Sequence, residues 1–398
     1  MGAMLTLEEA QDRVLALAPQ MPTETVPVEA AVDRNLADDL QAQRTQPPAD
    51  LSAMDGYAIG GEHQGPWKLV GESRAGTPFD HELAQGETVR ISTGAHVPSG
   101  ADRILIQENA RVDGQTVTCF QDFPPAMRHV RQRGIDFAAG DLVLDAGTRI
   151  GPAQLALAIG AGHAALDVRR APRVAVLDSG DELSADPANC ADHQIPASNG
   201  AMIGAMLAEL GCEVIRLGPV PDDREALATA LARSEIADIL ITTGGASVGD
   251  HDLMRPALEA WGAQLDFWKV AMKPGKPIMV ATRGEKVIFG LPGNPVSSFV
   301  TCFLFALPLV RAAMGAKEPL PAVATLAAGC VLPAIGSRRE FLRAYWDGET
   351  VSLADSQDSS ALAALAQANC LIDRPAHAFE IEAGTPVPCL LLKNGSIA

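Results

Sequence analysis

The chain is poor in aromatic residues, with Phe 11, Trp 4 and Tyr 2 among 398. Base-stacking platforms need exposed rings, so this scarcity argues against single-stranded nucleic-acid binding. Basic charge is also short. Lys and Arg number 31 against 49 Asp and Glu, a net charge of −18. Such a surface repels nucleic-acid phosphates and anionic lipid, which excludes general nucleic-acid and membrane-surface binding. The seven cysteines are odd in number and widely spaced, and none forms a C-x-x-C pair. That pattern suits reduced thiols in a cytoplasmic enzyme better than a disulfide framework or a zinc site. The longest apolar run, 299–310, contains Pro308 and is too short to span a bilayer. The N-terminus has no basic n-region or apolar core, so no signal peptide is expected. P-loop, G-x-G-x-x-G and G-x-S-x-G patterns are missing, and the eight histidines show no metal-ligand spacing.

What is present is a foldable, turn-rich chain. Hydrophobic residues reach 47%, enough for several buried cores, and Gly 36 with Pro 28 implies many tight turns. Thr6-Leu7-Glu8-Glu9 reads as a capping box that opens a helix. Residues 45–140 alternate short β-rich pieces with Gly, Pro and Asp turns and read as a small β domain. Residues 141–171 return to helical texture. From 172 to 317 strands alternate with helices: strands at 173–178, 212–217, 238–243 and 286–291, helices after Asn199, Asp223, Asp252 and Pro295. This predicts a doubly wound, mostly parallel sheet whose ligands sit beyond the strands' carboxyl ends. Asn199 is expected to N-cap its helix. Residues 318–398 are β-rich again and predict a small barrel or sandwich.

Polar residues concentrate in the strand-end loops of the α/β section. Gly244, Gly245 and Gly249, with Thr243 and Ser247, can turn backbone N–H groups toward an anion, although glycine alone is also ordinary turn chemistry. Lys269, Lys273 and Lys276 fall within eight residues. In so acidic a chain they form a candidate anion receptor. Glu182, Asp222, Asp250 and Asp252 would repel that anion unless a hard divalent cation such as Mg²⁺ lay between them. Asp223, Asp250 and Asp252 also precede helices and read equally as N-caps. Together, lysines and carboxylates point to phosphoryl or nucleotidyl chemistry with a metal.

Several ordered motifs then carry a resemblance. They are Ser52-Ala-Met-Asp-Gly-Tyr-Ala58, Ile91-Ser-Thr-Gly-Ala95, Arg131 with Arg133-Gly-Ile-Asp136, Gly180-Asp-Glu-Leu183, Gly244 to Asp250, Lys273-Pro-Gly-Lys-Pro277, Leu291-Pro-Gly-Asn-Pro-Val-Ser297 and Arg338-Arg-Glu-Phe-Leu-Arg343. With these the chain resembles the MoeA/gephyrin E-domain family, the molybdopterin molybdenumtransferases, from Leu5 to the C-terminal β domain. The resemblance implies a multidomain α/β plus β fold. A split helical domain (4–44 plus 141–171) would hold an inserted β-rich domain (45–140), followed by the α/β molybdopterin-binding domain (172–317) and a C-terminal β-barrel (318–398).

It also implies an elongated homodimer with an active site shared between subunits. The reaction would be Mg²⁺-dependent insertion of molybdate into adenylyl-molybdopterin with release of AMP. A molybdopterin adenylyltransferase and molybdoenzymes would be its pathway partners. The resemblance assigns the residues of the glycine loop (Gly244, Gly245, Ser247, Gly249) to the phosphate or pterin end. Pro292, Asn294, Pro295 and Ser297 would also bind substrate. Glu182, Asp222, Asp250 and Asp252 are assigned to Mg²⁺ or the adenylate, and Lys269, Lys273 and Lys276 to molybdate or developing charge. Asp55, Thr93, Arg131 and Asp136 would come from the other subunit. Three positions depart from the family's usual text: Asp178 stands for Ser or Thr, Ile135 for Glu and Ala197 for Asp. Two alternatives remain open at this point, adenylylation of molybdopterin and a non-catalytic cofactor-binding scaffold.

Overall fold

The structure is a computed structural model that describes residues 4–244, 253–275 and 278–392. Its first helix, α1 (Leu7–Ala16), opens with the expected capping box. Thr6 Oγ1 accepts from Glu9 N–H, and Glu9 Oε2 accepts from Thr6 N–H. Segments on either side of the β-rich insert then meet. Thr23–Pro27 pairs antiparallel with Ala165–Arg169, and Leu40–Gln41 with Leu142–Leu144. Their small core holds Leu36, Ile150, Leu166 and Val168, covered by the helix Pro152–Gly160. The unit is thus held by strand pairs as much as by helix. The apolar stripe of α1 (Leu7, Ala10, Val14) packs instead on the core of the α/β section. The insert carries a six-stranded sheet running from Arg103–Ile106 at one edge to Ala110–Asp113 at the other.

The α/β section positions the site. Its elements are β1 (Arg173–Asp178), α2 (Asn199–Ala208), β2 (Glu213–Arg216), α3 (Arg224–Arg233), β3 (Ile239–Thr243), α4 (Met254–Ala260), β4 (Gln264–Trp268), β5 (Ile278–Arg283), β6 (Lys286–Leu291) and α5 (Pro295–Ala313). The sheet order is β2-β1-β3-β6-β5-β4. Strands β2, β1, β3 and β6 run parallel, while β5 and β4 add an antiparallel edge. Side chains alternate faces along β1: Val174 and Val176 enter one core layer, Ala175 and Leu177 the other. The chain leaves β1 toward β2 and returns past it to β3, so the order reverses between β1 and β3. Ligands of open α/β sheets bind at such a reversal.

Helix α5 is long and apolar enough to cross a bilayer, but 89% of its apolar window is buried inside the protein, which makes it the core helix. Its middle, Cys302–Ala306, widens into a π turn just before Pro308. Pro308 has no N–H to offer the Leu304 carbonyl one turn back. Gln11 of α1 supplies the missing donor, its Nε2 lying 3.1 Å from Leu304 O. Gln11→Leu therefore leaves a buried acceptor unpaired. We expect a loss of about 1–3 kcal/mol, read as a lower urea midpoint at unchanged slope.

Beyond α5, five strands close into a barrel. Arg339–Trp346 is bonded to Thr350–Leu353 on one side and to Cys370–Arg374 on the other, and Val323–Ala328 with Pro386–Leu391 completes the ring. The short strand Met272–Lys273 joins this sheet beside Arg339 and Glu340. All seven cysteines are free thiols.

Candidate active site

Strand register brings Asp178 beside Thr243, and Thr243 beside Leu291, at the carboxyl edge of the parallel strands. Two loops turn tightly here. Gly244 has φ +83°, and a Cβ on it would stand 2.5 Å from Ser179 O, so only glycine fits. Gly180 N–H donates to Val220 O, and Asp222 N–H donates to Asp181 Oδ1 at 3.0 Å. Asp181, Glu182 and Asp222 are thereby gathered. Partial burial, with the charges of Asp181 and Glu182 beside it, raises the Asp222 carboxyl above the usual carboxylate range. Asp223 is spent differently. Its Oδ1 accepts from the N–H groups of Glu225 and Ala226 and caps α3.

A small cavity lies in the β1–β3 crevice, lined among others by Asp178, Glu182, Asn199, Thr243, Gly244 and Pro295. Asn199 does not cap α2 as its sequence position suggests. Ser198 occupies the cap position, and Asn199 is the first helical residue. Its side chain turns inward because two acceptors await it: Asn199 Nδ2 donates to Gly293 O at 2.7 Å and to Thr243 Oγ1 at 3.1 Å. This ties the loop after β6 to the end of β3.

Lys269 and Lys273 are not part of this cavity's lining. Lys273 Nζ lies 3.4 Å from Glu340 on the barrel strand. Lys269 is exposed, and its carbonyl accepts from Leu5 N–H. Gly275 rests against α5, where its Cβ would meet Thr301 Oγ1 at 2.5 Å. At the start of α5, Asn294 Nδ2 donates to Ser359 Oγ and Val296 N–H to Ser359 O, so a barrel loop covers part of that helix end. Ser297 is buried and Pro292 half-buried. Gly293 and Pro295 line the cavity with Glu182, and Gly275 of the lysine loop lies against Thr301 farther along the same helix. Gly245, Ser247, Gly249, Asp250, Asp252 and Lys276 lie outside the described residues.

Among the described residues, no three His, Cys, Asp or Glu side chains are grouped so as to hold a metal by themselves. The crowding at Asp222 nevertheless fits a hard dication, since Mg²⁺ takes one or two carboxylates and completes its shell with water and phosphate oxygens.

A second polar cluster lies in the β-rich unit. Asp55 Oδ1 accepts from Thr93 N–H at 2.7 Å and Thr93 Oγ1–H at 2.9 Å, which holds its carboxyl below the usual range. Arg131 pairs through its backbone with Leu51, and Asp136 N–H donates to Gln46 O. Both side chains are exposed. Among the described residues, no hydrogen bond or ion pair joins this cluster to Glu182 or Asp222.

Residues 5–162 match the MoeA N-terminal region (domain I and II), 175–312 the probable molybdopterin binding domain, and 326–392 the MoeA C-terminal region (domain IV). A molybdopterin molybdenumtransferase of Haemophilus influenzae is 34% identical, over 96% of this chain and 98% of its own length. The chain belongs to the molybdopterin molybdenumtransferase (MoeA) family. A second relative of that name, from Staphylococcus aureus, is 32% identical over 98% of this chain and 96% of its own. The crystal structure of the MoeA molybdopterin biosynthesis protein from Pyrococcus horikoshii superposes with a TM-score of 0.81 at 28% identity, covering 98% of this chain and 100% of that one.

For a MoeA family member, sequence reasoning underrated three residues: Asp178 and Asn199, which line the cavity, and Glu340, which pairs with Lys273. Asn199 was legible only as a cap. Asp178 was legible only as a departure from family text. Glu340 lay inside the quoted Arg338–Arg343 motif, but its partner Lys273 is 67 residues away and no local pattern joins them.

Proposed function

We propose that this chain catalyses Mg²⁺-dependent insertion of molybdate into adenylyl-molybdopterin, releasing AMP and yielding the molybdenum cofactor. Its family makes it a transferase of molybdenum cofactor biosynthesis. The observation that carries the finer reading is the trio Asp181, Glu182 and Asp222 at the sheet's reversal point, with the Asp222 carboxyl raised by partial burial and then by its neighbours' charge. Three carboxylates beside an anionic substrate call for a cation between them. Glu182 and Asp222 would hold Mg²⁺, joined by Asp250 or Asp252. When bound, Mg²⁺ supplies charge neutralisation at the phosphate oxygens.

This chain's own groups do the rest. Thr243 and the turn at Gly244 fix the floor on which the substrate rests. Lys273, Lys269 and Lys276 offset negative charge on molybdate and on the departing AMP phosphate. Glu340 fixes Lys273 in place. Asp55, Thr93, Arg131 and Asp136 would complete the site from a second copy of the chain in a homodimer. The free thiols support a reducing compartment, the cytoplasm.

The test is AMP release from purified protein given two mixtures, adenylyl-molybdopterin with molybdate and Mg²⁺, or ATP with molybdopterin. AMP with cofactor in the first alone is expected. Adenylyl-molybdopterin formation in the second would make the chain an adenylyltransferase. Turnover in neither would leave a binding scaffold.

A further inference from the structure

Two buried acceptor atoms of residues lining the β1–β3 cavity have no donor. Asp178 is only 1% exposed, and its Oδ1 has no hydrogen-bond partner. Its other oxygen, Oδ2, is 3.1 Å from Arg216 Nη2. Asn199 Oδ1, in the same cavity, is likewise buried and unpartnered. The amide orientation is fixed, because Asn199 Nδ2 must donate to the Gly293 carbonyl. Burial pushes the Asp178 carboxyl up, and Arg216 and the Gly200 N–H pull it back. Room for this carboxylate comes from Gly200, where a Cβ would stand 2.1 Å from Asp178 Oδ2. An acid buried this deeply, with one oxygen left unpaired, is costly unless a ligand or displaceable water supplies donors.

We propose that Asp178 and Asn199 form an acceptor-lined floor that reads the 2-amino/N3–H edge of the pterin, so that adenylyl-molybdopterin enters the β1–β3 crevice pterin first. The inference deepens the proposed function and rests on it. A 2-amino-4-oxopyrimidine ring presents two adjacent donors, the amino group and N3–H, which match a pair of acceptors. Adenine presents its amino group between ring nitrogens N1 and N7, both acceptors, which would face the carboxylate with like partial charge. A phosphate offers acceptors only and is repelled. The donor-reading floor therefore assigns the pterin to the crevice and leaves the adenylate and phosphates to the carboxylate–lysine side.

The test compares pterin with lumazine, the analogue in which a carbonyl replaces the 2-amino group. Both are titrated by fluorescence against the full chain. Wild type is expected to bind pterin at least about tenfold more tightly than lumazine, because a site built for a donor rejects an analogue lacking it. Asp178→Ser is expected to bring the two within about threefold of each other. Asp178→Asn keeps the side chain's shape and is expected to weaken pterin while melting cooperatively. Equal binding by wild type, no saturation by pterin, or full discrimination in folded Asp178→Ser or Asp178→Asn would overturn the proposal. AMP release is a separate readout. Pterin preference without AMP release counts against the proposed reaction, and AMP release without pterin preference counts against this floor.

Discussion

Glu182→Gln is expected to lower molybdate-dependent AMP release by about 10²-fold or more and to raise the Mg²⁺ concentration needed for half-maximal rate. The substitution keeps shape and removes charge. Glu182 is exposed, so stability should move by no more than about 0.5 kcal/mol. Its loss matters because Asp222 and Glu182 are the charges between which a dication would sit, and one carboxylate cannot replace two. Asp223→Ala is the paired control one residue beyond Asp222. It removes an N-cap from α3, at a cost of about 1 kcal/mol, with the rate unchanged. An unchanged rate in Glu182→Gln, or an equal rate loss in both variants, would remove the carboxylate trio from the chemistry.

Arg339→Ala carries the largest expected effect on stability. Arg339 Nε lies 2.6 Å from Asp373 Oδ1, with a second bond to Oδ2, and its third partner is Glu8 on α1. One guanidinium thus joins the N-terminal helix to the barrel. Asp373 is only 4% exposed. Removing Arg339 leaves that carboxylate buried without its cation, which typically costs about 3–5 kcal/mol. The Glu8 contact adds little, because Glu8 is largely exposed. Arg339→Ala/Asp373→Ala should recover part of the loss, since no unpaired charge remains. Denaturant melts of the single and double variants give the comparison, and a double variant no better than the single would mean that the pair is not coupled.

How far the sequence revealed this molecule depends on the range of each signal. The capping box at Thr6–Glu9, the Asp223 cap and the alternating apolar strands β1, β3 and β6 are local, and they stand in the structure at or near their read positions. The antiparallel edge β4–β5 was not read. Gln264–Trp268 alternates and Ile278–Arg283 is apolar, but the lysine loop between them gives no strand signal, and a βαβ rhythm predicts no hairpin. The strand Cys370–Arg374 was also missed, since its five short buried residues carry no alternation.

The candidate site divides the same way. Glycines and carboxylates at strand ends are visible in the text because doubly wound sheets always present those ends. What the text hides is pairing across distance. Asp178 meets Gly200 and Arg216 only after β1, α2 and β2 have packed. Lys273 meets Glu340 only when the barrel docks beside the lysine loop.

The most direct test is a crystal structure of the protein soaked with Mg²⁺, AMP and molybdate. The account predicts Mg²⁺ on Glu182 and Asp222, with AMP phosphate and molybdate between those carboxylates and the lysines at 269–276. Nucleotide and oxyanion bound together at a distance from both segments would contradict it.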